Sequence, residues 1–468
     1  MTGAIGPHDL RLLRQAIEAR LGLVVHAHQL DNLAAAATEA CERFGLSGPA
    51  ALHATLAGAA EDGPLLEHFI ERLTVGESYF FRDAAQMDFL RQEFLPRLIE
   101  QRRQGTRALR VWSAACAAGQ ELHSVSMILA ELLGSADDVA RPWRLHLVGT
   151  DINAQALCQA RAGEYTRWSL RGLDDARRER FFTEASSGRV RLRPELAALA
   201  KFSYLNLVDG GFPSIVSGLH DFDLILCRNV FVYFEPSRAR RVLARLTQAL
   251  SPGGALLLGA SDIVEPHIEG LVTVQQAGMC YYRKPLIEAE LRVPAPSSRG
   301  ADAWAELRAL ADAGRWSEMA ARAETAGAPP DARSARLLAL ALGNLGRAAE
   351  ALACCVRALE RAPDDHELHF LRALLSVEAG DEAAALEAFR RTLKAAPDCI
   401  EAHHQMALLL LRVGQQAPGL RSLKNALDLA RSLPAQAEAP GHPGLSYARL
   451  ADIIENEMTI HAQVEANG

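Results

Sequence analysis

Arg110-Val111-Trp112-Ser113-Ala114-Ala115-Cys116-Ala117-Ala118-Gly119-Gln120-Glu121 reads as a strand, a turn of small residues and the start of a helix. Small side chains in such a turn let a ligand lie close to the backbone. Further on, Leu147-Val148-Gly149-Thr150-Asp151-Ile152 ends a second strand in an acid. Doubly wound sheets set a carboxylate there against the ribose hydroxyls of a nucleoside cofactor. Taken alone, this pair of features is weak, because many α/β proteins carry it without binding a nucleoside. From Arg107 to Lys284, short aliphatic and β-branched runs alternate with amphipathic helical stretches, the pattern of a doubly wound α/β sheet. The predicted strands are Leu109–Ser113, Leu145–Thr150, Phe222–Cys227 and Ala255–Leu258.

On the N-terminal side, apolar residues recur at helical spacing, as in Leu12, Leu13, Ile17 and Leu21, and predict a helical domain over 1–75. The α/β domain is expected over 76–286. Pro294-Ala295-Pro296-Ser297-Ser298-Arg299-Gly300 lacks periodicity and suits an interdomain connection, placed at 287–303. Beyond it the chain is rich in Ala and Leu and repeats itself. Gly346, Gly380 and Gly414 are 34 residues apart, as are Ala339, Ala373 and Ala407, and Leu359, Leu393 and Leu427. Pro363 and Pro397 keep the same step. That is the period of the tetratricopeptide repeat, in which a small residue lets two antiparallel helices approach. An all-α repeat solenoid is expected over 304–434, with Gly314 and Trp316 marking a degenerate first repeat and a capping helix or tail over 435–468.

Composition narrows the function. The chain has 468 residues, enough for two to four domains, with 49% hydrophobic and 23% charged residues. No apolar run approaches the ~20 residues of a spanning helix, and no leader follows Met1. A cytoplasmic protein without membrane insertion is expected. The eight cysteines form no CxxC pair and no metal-ligand cluster, and read as reduced, mostly core residues with no metal site. A net charge of −7 argues against a nucleic-acid partner, since phosphate contacts need clustered Lys and Arg.

Several motifs in order, from the N-terminal helices to Lys284, carry a resemblance to a known family. They are Thr74-Val75-Gly76-Glu77-Ser78-Tyr79-Phe80-Phe81-Arg82-Asp83, Val111-Trp112-Ser113-Ala114, Gly149-Thr150-Asp151-Ile152, Asn206-Leu207, Cys227-Arg228-Asn229-Val230 with Tyr233-Phe234, and Ser251-Pro252-Gly253-Gly254. Together they resemble the CheR family of S-adenosyl-L-methionine-dependent methyltransferases, which act on glutamate side chains of chemoreceptors. The resemblance implies a Rossmann-like methyltransferase sheet with a small inserted β-subdomain. It implies that Asp151 holds the cofactor ribose, that Asn206 and Leu207 frame the adenine, and that Arg228 and Asn229 line the pocket. Glu121 would face the methionine portion; its plain alternative is charge complementarity at a helix N-terminus. Gly76, Ser78 and Arg82 belong to the same implied contact set, and Arg82 with Tyr233 would orient the incoming carboxylate as the catalytic pair.

The chain also departs from that family. Gly119-Gln120-Glu121-Leu122-His123-Ser124 stands where Gly-Glu-Glu-Pro-Tyr-Ser is common; Gly76 replaces a usual asparagine and Ser78 a frequent threonine. His123 reads as a packed helix-face histidine, not a catalytic one. Residues 1–70 carry four Arg and eight acids, whereas the family often offers a basic face here. The segment from Arg161 to Arg193, with nine Arg and five acids, is the alternative docking face, or simply a solvated one. Ser186-Ser187-Gly188 is short for a subdomain that captures a receptor's tethering peptide, so the repeats would supply localisation through a protein partner, with recruitment to receptor arrays by the membrane as the expectation. The leading expectation is methylation of glutamates on a chemoreceptor-like signalling protein, with S-adenosyl-L-homocysteine as product. A scaffold working through its repeats, weak or inactive in catalysis, and a methyltransferase for another acceptor stay open.

Overall fold

The computed structural model describes the chain except residues 1–4, 59–62, 75–77, 135–137, 139–141, 186–187, 260–261, 263–267, 277–278, 287–300, 436, 438, 440–445 and 467–468. Gly76, most of the 287–303 connection and the Ser186-Ser187 turn thus lie outside the described residues. The chain divides into two compact units, one of 1–210 with 222–286, the other of 211–221 with 287–468.

In the first unit, helices α1 (Pro7–Leu21), α2 (Leu30–Arg43), α3 (Pro49–Gly58) and α4 (Pro64–Leu73) enclose their own core of Leu13, Ile17, Leu33, Leu52 and Phe69. These helices were expected as a separate domain, yet they share one compact unit with the sheet. The reason is a set of long-range contacts: Leu23 forms a β-bridge with Phe234, the Val24 N–H donates to the Tyr233 carbonyl at 2.7 Å, and Ile152 packs on the helical core. Helices α5 (Ala84–Phe89) and α6 (Leu95–Arg103) follow, then β1 (Ala108–Ala114), α7 (Gln120–Leu132) and β2 (Arg144–Asp151).

β3 (Glu164–Thr166), β4 (Phe182–Glu184) and β5 (Arg189–Leu192) form a small antiparallel sheet in the order β3-β5-β4. β6 (Ala200–Tyr204), β7 (Phe222–Cys227), β8 (Leu250–Leu258), β9 (Val272–Gln276) and β10 (Met279–Arg283) complete a seven-stranded sheet ordered β6-β2-β1-β7-β8-β10-β9. β6, β2, β1, β7 and β8 are parallel, and β10 and β9 close the edge antiparallel. Every residue of β7 is buried, as expected for a central parallel strand covered on both faces. Trp112 is fully buried in β1, and its indole N–H is satisfied by the Thr150 hydroxyl at 2.9 Å. β8 starts five residues earlier than predicted, at Leu250, because Gly253 and Gly254 pair with the Lys284 backbone after β10. Between β1 and β7 the strand order reverses, and ligands of open α/β sheets bind at the carboxyl ends beside such a point.

The second unit is a run of helix pairs: Ala301–Asp312 with Trp316–Ala326, Ala332–Asn344 with Ala348–Leu359, His366–Ala379 with Glu382–Ala395, and Ile400–Arg412 with Gln416–Ser432. Gly314, Gly346, Gly380 and Gly414 each end a first helix with left-handed backbone, which glycine adopts without a Cβ penalty. Ala339, Ala373 and Ala407 are fully buried where the helices cross. The first helix begins at Ala301 rather than at 304, since Trp304, Leu307 and Leu310 recur on one buried face. The unit also takes in Gly211–Asp221, which the sequence pattern alone groups with the α/β domain. Ile215 is buried in the repeat core, and its N–H donates to the Asn344 side chain at 2.7 Å. Helix Tyr447–Ala466 closes the end of the stack through Glu457 on His404, at 2.6 Å, and Glu455 on Arg431.

Candidate active site

At the carboxyl ends of β1, β2 and β7 lies an open cavity. Ser78, Arg82, Glu121, Asp151, Asn206, Leu207, Arg228, Asn229 and Tyr233 all line it, so the structure brings together every predicted site residue that it describes.

The turn after β1 is held open by strained backbone. Ala115 and Ala117 sit at φ of 60° and 47°, a region that costs a non-glycine residue roughly 1–2 kcal/mol. The Ala117 N–H donates to Asp151 at 2.8 Å, and the Asn153 N–H donates to the other Asp151 oxygen at 2.8 Å. Asp151 therefore fixes the turn and still has lone pairs for a ligand diol. Burial pushes its carboxyl pKa up, against those N–H bonds. At Gly119, φ is 82° and a Cβ would meet Phe202 and Ala160 within 2.9 Å, so glycine is required where the turn enters α7.

Glu121 accepts from the Ser113 hydroxyl at 2.7 Å and from Arg228 at 2.9 Å. The Arg228 side chain is only 4% exposed. Its guanidinium also donates to the Arg82 carbonyl at 2.8 Å and lies 3.6 Å from Asp83. One buried arginine thus ties the helix start, the strand β7 and the segment that carries Arg82. Each Glu121 oxygen accepts one of these bonds, so the carboxylate keeps lone pairs free to receive an ammonium group.

Arg82 is presented by two anchors. Phe80 is fully buried edge-on to Tyr165 and Phe182, with ring centroids 4.8 and 5.1 Å away. The Phe81 N–H donates to the Ser124 hydroxyl at 2.9 Å. Phe81 and Asp83 both have left-handed backbone, at φ of 56° and 64°, and turn the intervening Arg82 into the cavity. Asn206 reaches the Leu21 carbonyl at 3.4 Å, and Tyr233 is held through its carbonyl by Val24, so the N-terminal helices close one wall.

Of the altered family positions, Gln120, Leu122 and His123 are buried and none lines the cavity. His123 packs against Tyr165 and Phe202, and its Nε2–H donates to the Ala160 carbonyl at 3.1 Å. Cys116 lines the cavity, but burial pushes its thiol pKa well up, which disfavours a thiolate nucleophile. Five of the eight cysteines are buried; Cys158 and Cys280 are exposed. The arginines between Arg161 and Arg193 are engaged locally, with Arg167 on Glu184, Arg177 on Glu131 and Arg191 on Glu164. Among the described residues there is no cluster that could hold a metal and no helix able to cross a membrane.

Sequence reasoning missed Asp262, whose buried carboxylate accepts N–H groups from the turn after β7. A lone acid 33 residues from Asn229 gives no local signal of that contact.

The residues present fit S-adenosyl-L-methionine. Asp151 can accept from a ribose diol, Glu121 from an ammonium group, Leu207, Ile152 and Leu23 supply apolar wall, and the alanine turn leaves room against the backbone.

Residues 76–278 match the family described as CheR methyltransferase, SAM binding domain, and residues 333–365 match a tetratricopeptide repeat. The chain is 32% identical over 255 residues to chemotaxis protein methyltransferase 1 of Pseudomonas aeruginosa, covering 54% of this chain and 89% of that one. It is 31% identical over 275 residues to the chemotaxis protein methyltransferase of Escherichia coli, covering 58% of this chain and 90% of that one. Among solved structures, the crystal structure of MamA is 16% identical and covers 28% of this chain and 78% of that one, with a TM-score of 0.27. With relatives matched over nearly their whole length, the chain belongs to the CheR family of S-adenosyl-L-methionine-dependent methyltransferases and joins its catalytic fold to tetratricopeptide repeats.

Proposed function

We propose that this chain methylates glutamate side-chain carboxylates on a chemoreceptor-like signalling protein, and that its repeats dock it to a protein of the same signalling complex. When bound, S-adenosyl-L-methionine supplies an electrophilic methyl group on a sulfonium. A glutamate is already ionised at neutral pH, so its oxygen forms the new C–O bond as the S–C bond breaks, giving a methyl ester and S-adenosyl-L-homocysteine. No general base is needed, and the residues of this chain have mainly to position and exclude water. In this reading Asp151 and Asn206 bind the nucleoside, Glu121 binds the ammonium group, and Arg228 holds Glu121.

The observation that carries the acceptor assignment is Arg82, displayed in the cavity between two left-handed residues and facing the same space as Tyr233. A guanidinium recognises a planar carboxylate through paired N–H bonds. Because Gln120, Leu122 and His123 stay off the cavity wall, the scaffold alternative loses its main support. The test is transfer of labelled methyl from S-adenosyl-L-methionine to membranes holding the organism's chemoreceptors, scored as base-labile volatile counts. We expect counts from the wild-type chain and a loss of at least 100-fold for Arg82→Ala, in the range of a removed charge-orienting group. Wild-type cofactor binding without base-labile counts would assign another acceptor.

A further inference from the structure

Asp262 lies outside the cavity wall, yet three backbone N–H groups converge on its carboxylate. Oδ2 accepts from Asn229 at 2.5 Å and from Gly259 at 2.9 Å, while Oδ1 accepts from Phe231 at 2.9 Å. The residue is 7% exposed. Asn229 takes a left-handed φ of 60°, which a non-glycine residue holds only where its surroundings over-determine it. Gly259 permits the approach: a Cβ there would lie 2.7 Å from the Asn229 nitrogen and 2.9 Å from Asp262 itself. The end of β8 is thereby stitched to the turn after β7, and that turn carries Arg228, Asn229, Val230 and Tyr233 to the cavity.

We propose that Asp262 is a positioning residue for the methyl-transfer site, fixing the β7 turn so that Asn229 and Arg228 meet the cofactor and Tyr233 meets the acceptor. This rests on the function proposed above. A carboxylate is required because it is acceptor-only on both oxygens, matching three converging donors. An amide in its place would turn an N–H₂ group towards one of those donors, leaving a buried unmade bond.

The test uses the full chain with Asp262→Asn and Gly259→Ala, the second leaving the carboxylate intact but forcing the turn away. Cofactor affinity is read by calorimetry, and amide hydrogen exchange is read at Asn229, Phe231 and Gly259 against Leu224–Leu226 inside β7. Both variants should bind S-adenosyl-L-methionine at least 10-fold more weakly, with faster exchange at the three turn amides and protected amides in β7. That local pattern separates displacement of the turn from general unfolding. Wild-type affinity in either folded variant would overturn the proposal, and if Asp262→Asn does not fold, Gly259→Ala decides it alone. If the wild-type chain itself fails to bind the cofactor, the proposed function fails; slow exchange at the three amides that is unchanged by substitution would instead defeat the role of Asp262.

Discussion

Around the cavity, Phe81, Asp83, Ala115, Ala117 and Asn229 take left-handed backbone beside Gly119; at the helix turns of the repeats Gly314, Gly346, Gly380 and Gly414 do so. Glycine takes that conformation freely, whereas Phe81, Ala115 and Ala117 pay steric strain of roughly 1–2 kcal/mol each, and Asp83 and Asn229 less. One ion pair from each region shows a similar contrast. Arg228 and Glu121 are buried together, while Arg391 and Glu387 in the repeats are 57% and 52% exposed. The repeats use the relaxed solution at each turn, which suits a modular stack stabilised by neighbours. The catalytic fold holds strained turns and a desolvated charge pair in place with specific bonds from Asp151, Ser124 and Asp262. Rigidity at the cavity is therefore made by long-range contacts, and rigidity in the repeats by local conformational fit.

The largest expected effect breaks the charge half of this contrast. Arg228→Met leaves the Glu121 carboxylate buried without its cation and should cost about 3–5 kcal/mol, with loss of cofactor binding. Arg391→Ala on the exposed face of a repeat helix should change stability by no more than about 0.5 kcal/mol. Urea unfolding of the two variants measures both, and equal costs would defeat the contrast.

Next comes pH. His123 is fully buried, and burial pushes its pKa down to about 4 from an ordinary 6.5. The unfolded chain therefore takes up this proton first, so the stabilisation is complete above the unfolded pKa and is lost as pH falls towards 4. The full difference is on the order of 3 kcal/mol. Melting followed from about pH 7 to about pH 5 should show a falling midpoint in the wild type and a flatter profile in His123→Phe. Parallel profiles for the two proteins would remove His123 as the cause.

The smallest effect sharpens the backbone half. Gly414 has φ of 79° and open space around its missing Cβ, so Gly414→Ala should cost about 1 kcal/mol through backbone strain alone. Ala117→Gly should do the reverse and stabilise by up to about 1 kcal/mol, since its φ of 47° becomes unstrained. Changes of the same sign in melting temperature would show that the two kinds of turn are not opposites.

Much of this was legible before folding was considered. Gly346, Gly380 and Gly414 announced the repeats because each sits at the one backbone position that favours glycine, and the spacing recurs. Phe222–Cys227 announced a strand because the apolar run Leu224-Ile225-Leu226-Cys227 suits a buried β-segment, while the burial of Asp223 beside it did not show. Asp151 was legible as a site residue because a strand end and a following loop place it locally. Its bonds to Ala117 and Asn153 were not, nor was Asp262, since side-chain bonds to distant backbone leave no period or spacing in the chain.

By itself, the sequence determined the α/β and repeat architectures and the residue types gathered for methyl transfer, because periodicity, glycine placement and short motifs act over neighbouring residues. Tertiary structure alone decided that the N-terminal helices share a unit with the sheet, that Gly211–Asp221 folds with the repeats, and that Arg228 joins Glu121 to the Arg82 carbonyl. Those outcomes depend on groups more than 100 positions apart meeting with the right orientation, as Arg228 and Glu121 do across 107 residues. Such meetings follow from the packing of whole elements, which local sequence preference does not encode.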